Sequence, residues 1–179
     1  MTFNLIKKYP ELLEIMTMSE FQRKKSLRAV FDRDITFNET FTFSSKQIHP
    51  TKADGKIDLE NVFNHLITED ELVTKDDGGT YIRRVFEKDR AQRLHWIKPH
   101  IDQVIKETIH IFSVSERDRK KRKDVIRTYI FNSDANYVVV LEPQHSNIDY
   151  YLLTAYSLNK DYAPKQMKNK MKKCLPVVY

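Results

Sequence analysis

Apolar positions follow a helical period in the first part of this chain and a strand period in the last. In "NLIKKYPELLEIM" and "SEFQRKKSLRAVF", Leu12, Ile15 and Met16, then Phe21, Leu27, Val30 and Phe31, recur at helical spacing. Ser19, followed by Glu20 and Gln22, reads as a helix cap. "ETFTFSSKQI" alternates and predicts a strand. "DLENVFNHLITEDEL" puts Leu59, Val62, Phe63 and Leu66 on one stripe, with Asp58 as its cap. "KDDGGT" is the clearest break, an acidic turn with paired glycines, and suggests a boundary near residue 76. From Glu87 onward Leu94, Ile97, Ile101 and Ile105 share a helical face, which Pro99 should kink or divide. The period then changes: "IHIFSV", "DVIRTYIF", "NYVVVLEP" and "DYYLLTAYSL" are β-rich runs with short separators. Short separators favour antiparallel neighbours, so the runs predict a meander. In "NSDA", Asn132, Ser133 and Asp134 can bond their own backbone and make a turn. The final "PKQMKNKMKKCLPVVY" reads as a short basic helix or tail.

The expected fold class is therefore α+β. Residues 1–75 form a mostly helical region, and residues 76–179 form a helix followed by a four-stranded antiparallel β-meander. A chain of 179 residues, 40% hydrophobic and 11% aromatic, can bury a real core and is not a disordered polymer. Its three glycines, Gly55, Gly78 and Gly79, argue against a glycine-rich phosphate loop or dinucleotide fold. The single Cys174 rules out an intrachain disulfide and a multi-cysteine zinc site, and suits a reducing compartment. No apolar run reaches the roughly 18 residues needed to span a bilayer. The opening stretch carries lysines in its middle and does not read as a signal peptide. A cytoplasmic protein without membrane association is the expectation.

Charge is uneven along the chain. Residues 1–75 hold 11 Lys and Arg against 12 Asp and Glu, whereas residues 76–179 hold 20 against 13. The basic character belongs to the C-terminal part and points to a polyanionic partner: nucleic acid, anionic lipid or an acidic protein. An ordinary solvated lysine surface is the plain alternative. Lys120, Lys121 and Arg122 in "ERDRKKRK", with Lys168 and Lys170 in the tail, are the candidate RNA-binding residues.

Residues two apart on a strand share a face, which groups Leu152, Thr154 and Tyr156, and separately Arg127 and Tyr129. Arg90, Arg93, His95 and His100 on the preceding helix could meet that polar floor. Such a set suits metal-free RNA cleavage, in which the 2′-hydroxyl attacks its own phosphate to give a 2′,3′-cyclic phosphate. Arginine offers forked donors to phosphate oxygens, histidine exchanges a proton near neutrality, and Thr and Tyr hydroxyls position the phosphate. Tyr could donate a proton if an arginine lowered its pKa. No paired carboxylates of metal-ligand type lie near these positions, so no metal and no cofactor are expected. Each feature alone has a bland reading: strand hydroxyls, a packed histidine, and arginines pairing with Glu87 and Asp89.

"RAQRLHWIKPHID", followed by "RTYIF", "NYVVVLEP" and "YYLLTAYSL", resembles the barnase–EndoU–colicin–RelE superfamily (BECR), in its phage-associated branch. The resemblance covers roughly residues 80 to 173, and its most specific element is "LLTAYSL" combined with "NYVVVLE". It implies one or two helices before an antiparallel sheet of about four strands. It also implies a metal-independent endoribonuclease acting as a toxin or phage-related effector on tRNA or another structured RNA. By motif position it carries over Arg90, Arg93, His95, Thr154 and Tyr156 as catalytic candidates. Arg127 and Tyr129 come from the strand reading. A toxin implies an acidic inhibitor or antitoxin that covers the basic cleft. The alternatives are a non-catalytic RNA-binding module and a protein-interaction factor on the same fold. ADP-ribosyl transfer is more remote, since no acidic residue is placed to act on a nicotinamide ribose.

Overall fold

A computed structural model describes residues 3–49, 52–53, 56–118, 122–144 and 147–179. In chain order the elements begin with helix α1 (Phe3–Ile6) and helix α2 (Glu20–Phe31), which runs into a π-helical turn (Asp32–Thr36). Strands β1 (Thr42–Phe43), β2 (Lys46–His49), β3 (Lys52–Ala53) and β4 (Lys56–Ile57) follow, then helix α3 (Leu59–Ile67) and strands β5 (Thr68–Thr74) and β6 (Thr80–Phe86). Helix α4 (Lys88–Gln92), a 3₁₀ turn (Leu94–Trp96) and helix α5 (Ile97–Ile101) lead to the long strands β7 (Ile109–Asp118), β8 (Lys123–Asn132), β9 (Tyr137–Gln144) and β10 (Asp149–Ser157). Helix α6 (Ala163–Met171) closes the series. The chain is α+β, as expected.

One six-stranded sheet organises the molecule in the order β1-β2-β10-β9-β8-β7. Strands β7 to β10 pair antiparallel with their sequence neighbours, while β2 joins β10 in parallel, Tyr150 opposite Ile48. The alternating "ETFTFSSKQI" is thus the β1–β2 hairpin. Its two-residue turn, Ser44 and Ser45, takes positive φ at both positions (49° and 64°), the geometry that matches strand twist. In the β8–β9 turn the Asn132 side-chain carbonyl accepts from the Asp134 and Ala135 amides at 3.1 and 2.9 Å.

The two sheet faces carry different cores. On one, Leu27, Phe31, Phe63, Leu66, Leu94 and Ile97 pack onto Ile130, Val139, Leu141 and Leu152. On the other, α6 lays Met167 over Phe112, Val114, Tyr129, Phe131, Val138 and Val140. The odd and even residues of β9 alternate between these two clusters, as a strand buried on both sides must. The expected boundary near residue 76 is the turn between β5 and β6, whose strands pair from Thr68–Phe86 to Thr74–Thr80. Residues on either side of it share one sheet and one core, so the division into 1–75 and 76–179 does not describe this packing.

Three helical expectations change for physical reasons. Helix α2 holds, with Ser19 and Gln22 forming a reciprocal capping box. "NLIKKYPELLEIM" is helical only over Phe3–Ile6. Beyond it Leu13 and Ile15 are fully buried while Leu12, Glu14 and Met16 are exposed, a period of two, and Pro10 cannot sit inside a helix. This extended segment is bonded to the helical layer, Leu13 N to Gln92 O at 3.0 Å and Trp96 Nε1 to Glu11 O at 3.0 Å. Helix α3 keeps its apolar stripe but stops at Ile67, because "TEDEL" has no core-facing residue to hold another turn and pairs with β6 instead. The predicted helix from Glu87 divides into α4, the 3₁₀ turn and α5. Leu94, Ile97 and Ile101 are buried together, and Ile105 lies beyond the last turn.

Candidate nucleic-acid interface

A one-residue irregularity in β10 sets which side chains meet. The β9–β10 register shifts between Leu152 and Thr154, so Leu152 opposes Leu141 whereas Thr154 opposes Val140 and Tyr156 opposes Val138. Thr154 and Tyr156 stay on one face, the α6 face, but Leu152 turns with Ala155 to the helix-covered face. Thr154, Tyr156, Arg127 and Tyr129 therefore share a face of the sheet, and the expected grouping of Leu152 with them is corrected by the bulge.

Arg127 is not an open phosphate fork. Its Nη1 lies 3.3 Å from Glu116 Oε2, its Nη2 3.2 Å from Asp118 Oδ2 and its Nε 3.8 Å from Glu142 Oε2. Tyr129 donates its hydroxyl to Glu116 at 2.8 Å and accepts from Lys170 Nζ at 2.9 Å; Lys170 also meets Glu116 Oε1 at 2.5 Å. Burial acts to raise the Glu116 carboxyl, but the Lys170, Tyr129 and Arg127 contacts outweigh it and hold the pKa below the usual value. Burial and Glu116 push the Tyr129 phenol far up. Among the described residues Arg127 and Lys170 are engaged by Glu116, Asp118 and Glu142, which ties α6 to β7. The acidic members escaped the sequence reading. Their signal was present in "SERD", which puts Glu116 and Asp118 two apart beside the strand that carries Arg127.

Arg90 has a different setting. Glu87 caps α4, its carboxylate accepting from the Asp89 and Arg90 amides at 3.1 and 2.6 Å. The Arg90 Nη1 donates to the carbonyls of Thr68 (3.1 Å) and His65 (3.4 Å), and the guanidinium stands 5.8 Å from the centre of the Tyr156 ring. Among the described residues Arg90 has no carboxylate partner. A cleft of about 180 Å³ opens here, lined by Arg90, Tyr156, Glu69, Glu87, Asn159, Lys160, Tyr162 and Ala163. Burial and the Glu116 charge raise the Tyr156 phenol, against the opposing pull of Arg90 and Arg127. Tyr156 is thus a neutral hydroxyl at neutral pH, and the condition for proton donation, a pKa lowered by arginine, is not met because burial and Glu116 outweigh Arg90 and Arg127.

His95 and Arg93 do not join this cleft. His95 sits on the 3₁₀ turn of the opposite layer, 3% exposed, between Leu94 and Trp96 of the first core. Neither ring nitrogen has a hydrogen-bond partner; the Lys8 and Glu11 carbonyls lie toward the ring without bonding geometry. Burial drives its pKa down to about 4, despite the opposing charge of Asp34. Arg93 bonds back to the Asp89 carbonyl and carboxylate and lies 5.1 Å over Trp96. His100, fully buried, donates from Nδ1 to the Trp96 carbonyl at 2.7 Å and accepts from Asn132 at 3.1 Å.

The basic surface lies along α6. Met167 and Met171 face the sheet, and Lys165, Lys168 and Lys172 project outward with no carboxylate partner among the described residues. Of the expected pair, Lys168 belongs to this stripe and Lys170 to the Arg127 cluster. Arg122 is exposed in the β7–β8 turn with φ 52°. Lys120 and Lys121 lie outside the described residues. No helix is long and apolar enough to cross a membrane, among the described residues. Comparison with protein-family models, characterised proteins and solved structures finds no match for this chain.

Proposed function

We propose that this protein binds RNA, with the Arg90–Tyr156 cleft seating one phosphate and the outer face of α6 following its neighbours. The observation that carries this reading is the contrast between the two arginines. Arg127 is neutralised by three carboxylates, whereas Arg90 is anchored through one nitrogen to two carbonyls and meets no carboxylate among the described residues. A guanidinium held on one edge presents its other N–H groups in a fixed fork, the geometry suited to a phosphate. Tyr156 adds a neutral hydroxyl and Lys160 a second charge. Tyr162 and Ala163 line the cleft where α6 begins, so the stripe of Lys165, Lys168 and Lys172 starts at its edge.

A second reading, the metal-independent endoribonuclease of BECR type, is favoured by Glu69, whose side chain lines the same cleft as Tyr156 and Arg90. In that reading Glu69 takes the proton of the attacking 2′-hydroxyl, the O2′–P bond forms as the P–O5′ bond breaks, and the leaving 5′-oxygen takes its proton from water. Arg90 balances charge on the phosphorane, and Tyr156 hydrogen-bonds a non-bridging phosphate oxygen. His95, across the sheet, has no part. The protein would then be a toxin or phage-related effector, and an acidic inhibitor would cover Arg90 and α6. One experiment separates the readings: incubate the protein with total RNA in EDTA. Cleavage predicts fragments ending in a cyclic phosphate, slowed roughly 10²- to 10³-fold by Tyr156→Phe at unchanged RNA affinity. A binding module predicts intact RNA in a salt-sensitive complex. Neither fragments nor a complex at physiological salt would refute both.

A further inference from the structure

A groove of about 980 Å³ runs between the N-terminal segment and the chain that follows α5, on the helical layer. That size is at the upper end for a small-molecule site. Its walls are apolar: Leu5, Ile6, Val104 and Ile105, of which Ile6 is 69% and Val104 71% exposed. Five cations and three carboxylates line it; three of the cations are already committed, and Glu107 accepts from the Tyr9 hydroxyl at 2.9 Å. Lys7 meets Glu11 and Glu14 at 3.3 and 3.0 Å, Arg33 meets Asp34 at 2.5 Å, and Lys98 pairs with Asp102. The Lys8 and Lys106 ammonium groups have no carboxylate partner among the described residues, although the Lys8 amide donates to Glu11 at 3.2 Å. His95 lies in the lining, its ring nitrogens short of full hydrogen-bond geometry and facing the Lys8 and Glu11 carbonyls.

We propose that this groove binds a small amphipathic anion, a medium-chain carboxylate in size and character. Its hydrocarbon body lies along Ile6, Val104 and Ile105, and its carboxylate meets Lys8 and Lys106. Burial of exposed isoleucine and valine drives association, and the two uncommitted ammonium groups select the charged head. The inference does not depend on RNA binding, since the groove shares no residue with the Arg90–Tyr156 cleft.

Titration with decanoate, kept below its micelle concentration, tests it. Trp96, the only tryptophan, is 4.8 Å edge-on from Tyr9, which lines the groove, so its emission reports occupancy beside calorimetric stoichiometry. The expected result is saturable binding of one decanoate per chain. Lys8→Glu with Lys106→Glu should weaken decanoate roughly two- to thirtyfold, as expected for two exposed ion pairs, and leave decanol unchanged. Val104→Asp should remove binding of both ligands. All three positions are exposed, so circular dichroism and thermal unfolding should stay as in the parent. Absent saturation, affinity indifferent to Val104→Asp, or binding only to anionic phospholipid vesicles and not to free decanoate would overturn the proposal.

Discussion

Arg127 and Arg90 have the same chemistry and opposite prospects, because a side chain's role depends on what closes around it. Removing Arg127 leaves Glu116, Asp118 and Glu142 clustered without their central cation. Arg127→Leu should therefore lower unfolding free energy by roughly 3 kcal/mol or more, read by urea denaturation at neutral pH. Arg90→Gln should leave stability nearly unchanged and instead weaken RNA binding. The two buried histidines make a second prediction. Burial lowers both His95 and His100 to about 4 from an ordinary value of 6.5. Between those values the unfolded chain binds protons that the folded chain does not. Stability should fall as pH drops below about 6.5 and stop falling from this cause near 4, at roughly 1 kcal/mol per pH unit for each histidine. Replacing His95 by Phe keeps a ring of similar shape and removes one titrating group. Denaturation midpoints measured from pH 7.5 to 4.5 should then fall less steeply than in the parent.

Helix α6 joins the sheet by one face and solvent by the other. Met167 and Met171 anchor it, and Lys170 reaches the Glu116–Tyr129 pair, while Lys165, Lys168 and Lys172 contribute only charge. Replacing those three lysines by Ala should leave the melting temperature within a few degrees. If α6 follows an RNA strand, the log–log salt slope of binding should flatten by roughly 0.7 for each phosphate no longer neutralised. An unchanged slope would make α6 an ordinary solvated helix. Strand β10 shows the converse dependence. Its composition marked it as a strand, yet one extra residue at Leu153 decides that Thr154 and Tyr156, and not Leu152, face α6.

Across the molecule the N-terminal elements are structural partners of the C-terminal strands. Strand β2 pairs with β10, and Leu27, Phe31, Phe63 and Leu66 complete the core over Val139 and Leu141. A fragment of residues 76–179 would expose that face of the sheet and lose one neighbour of β10. It should not unfold cooperatively on its own, and it should bind a hydrophobic dye, in contrast to the full chain.

The α+β class, the four long strands, the Ser19 cap and the apolar stripe of α3 were all legible in the sequence, because each rests on contacts a few residues apart. The same holds for the face shared by Arg127 and Tyr129. Long-range placement was not legible. No local pattern places β2 parallel to β10, sends His95 to the far side of the sheet, or surrounds Arg127 with carboxylates from β7 and β9. Leu12, Ile15 and Met16 fit a helical period, and only packing against the helical layer selected the extended form that buries Leu13 and Ile15. Local periodicity sets which elements form, since it reports the face each one must bury. Which charges end up neutralised and which remain available depends on strand order and on one bulge, and only the folded chain holds that information.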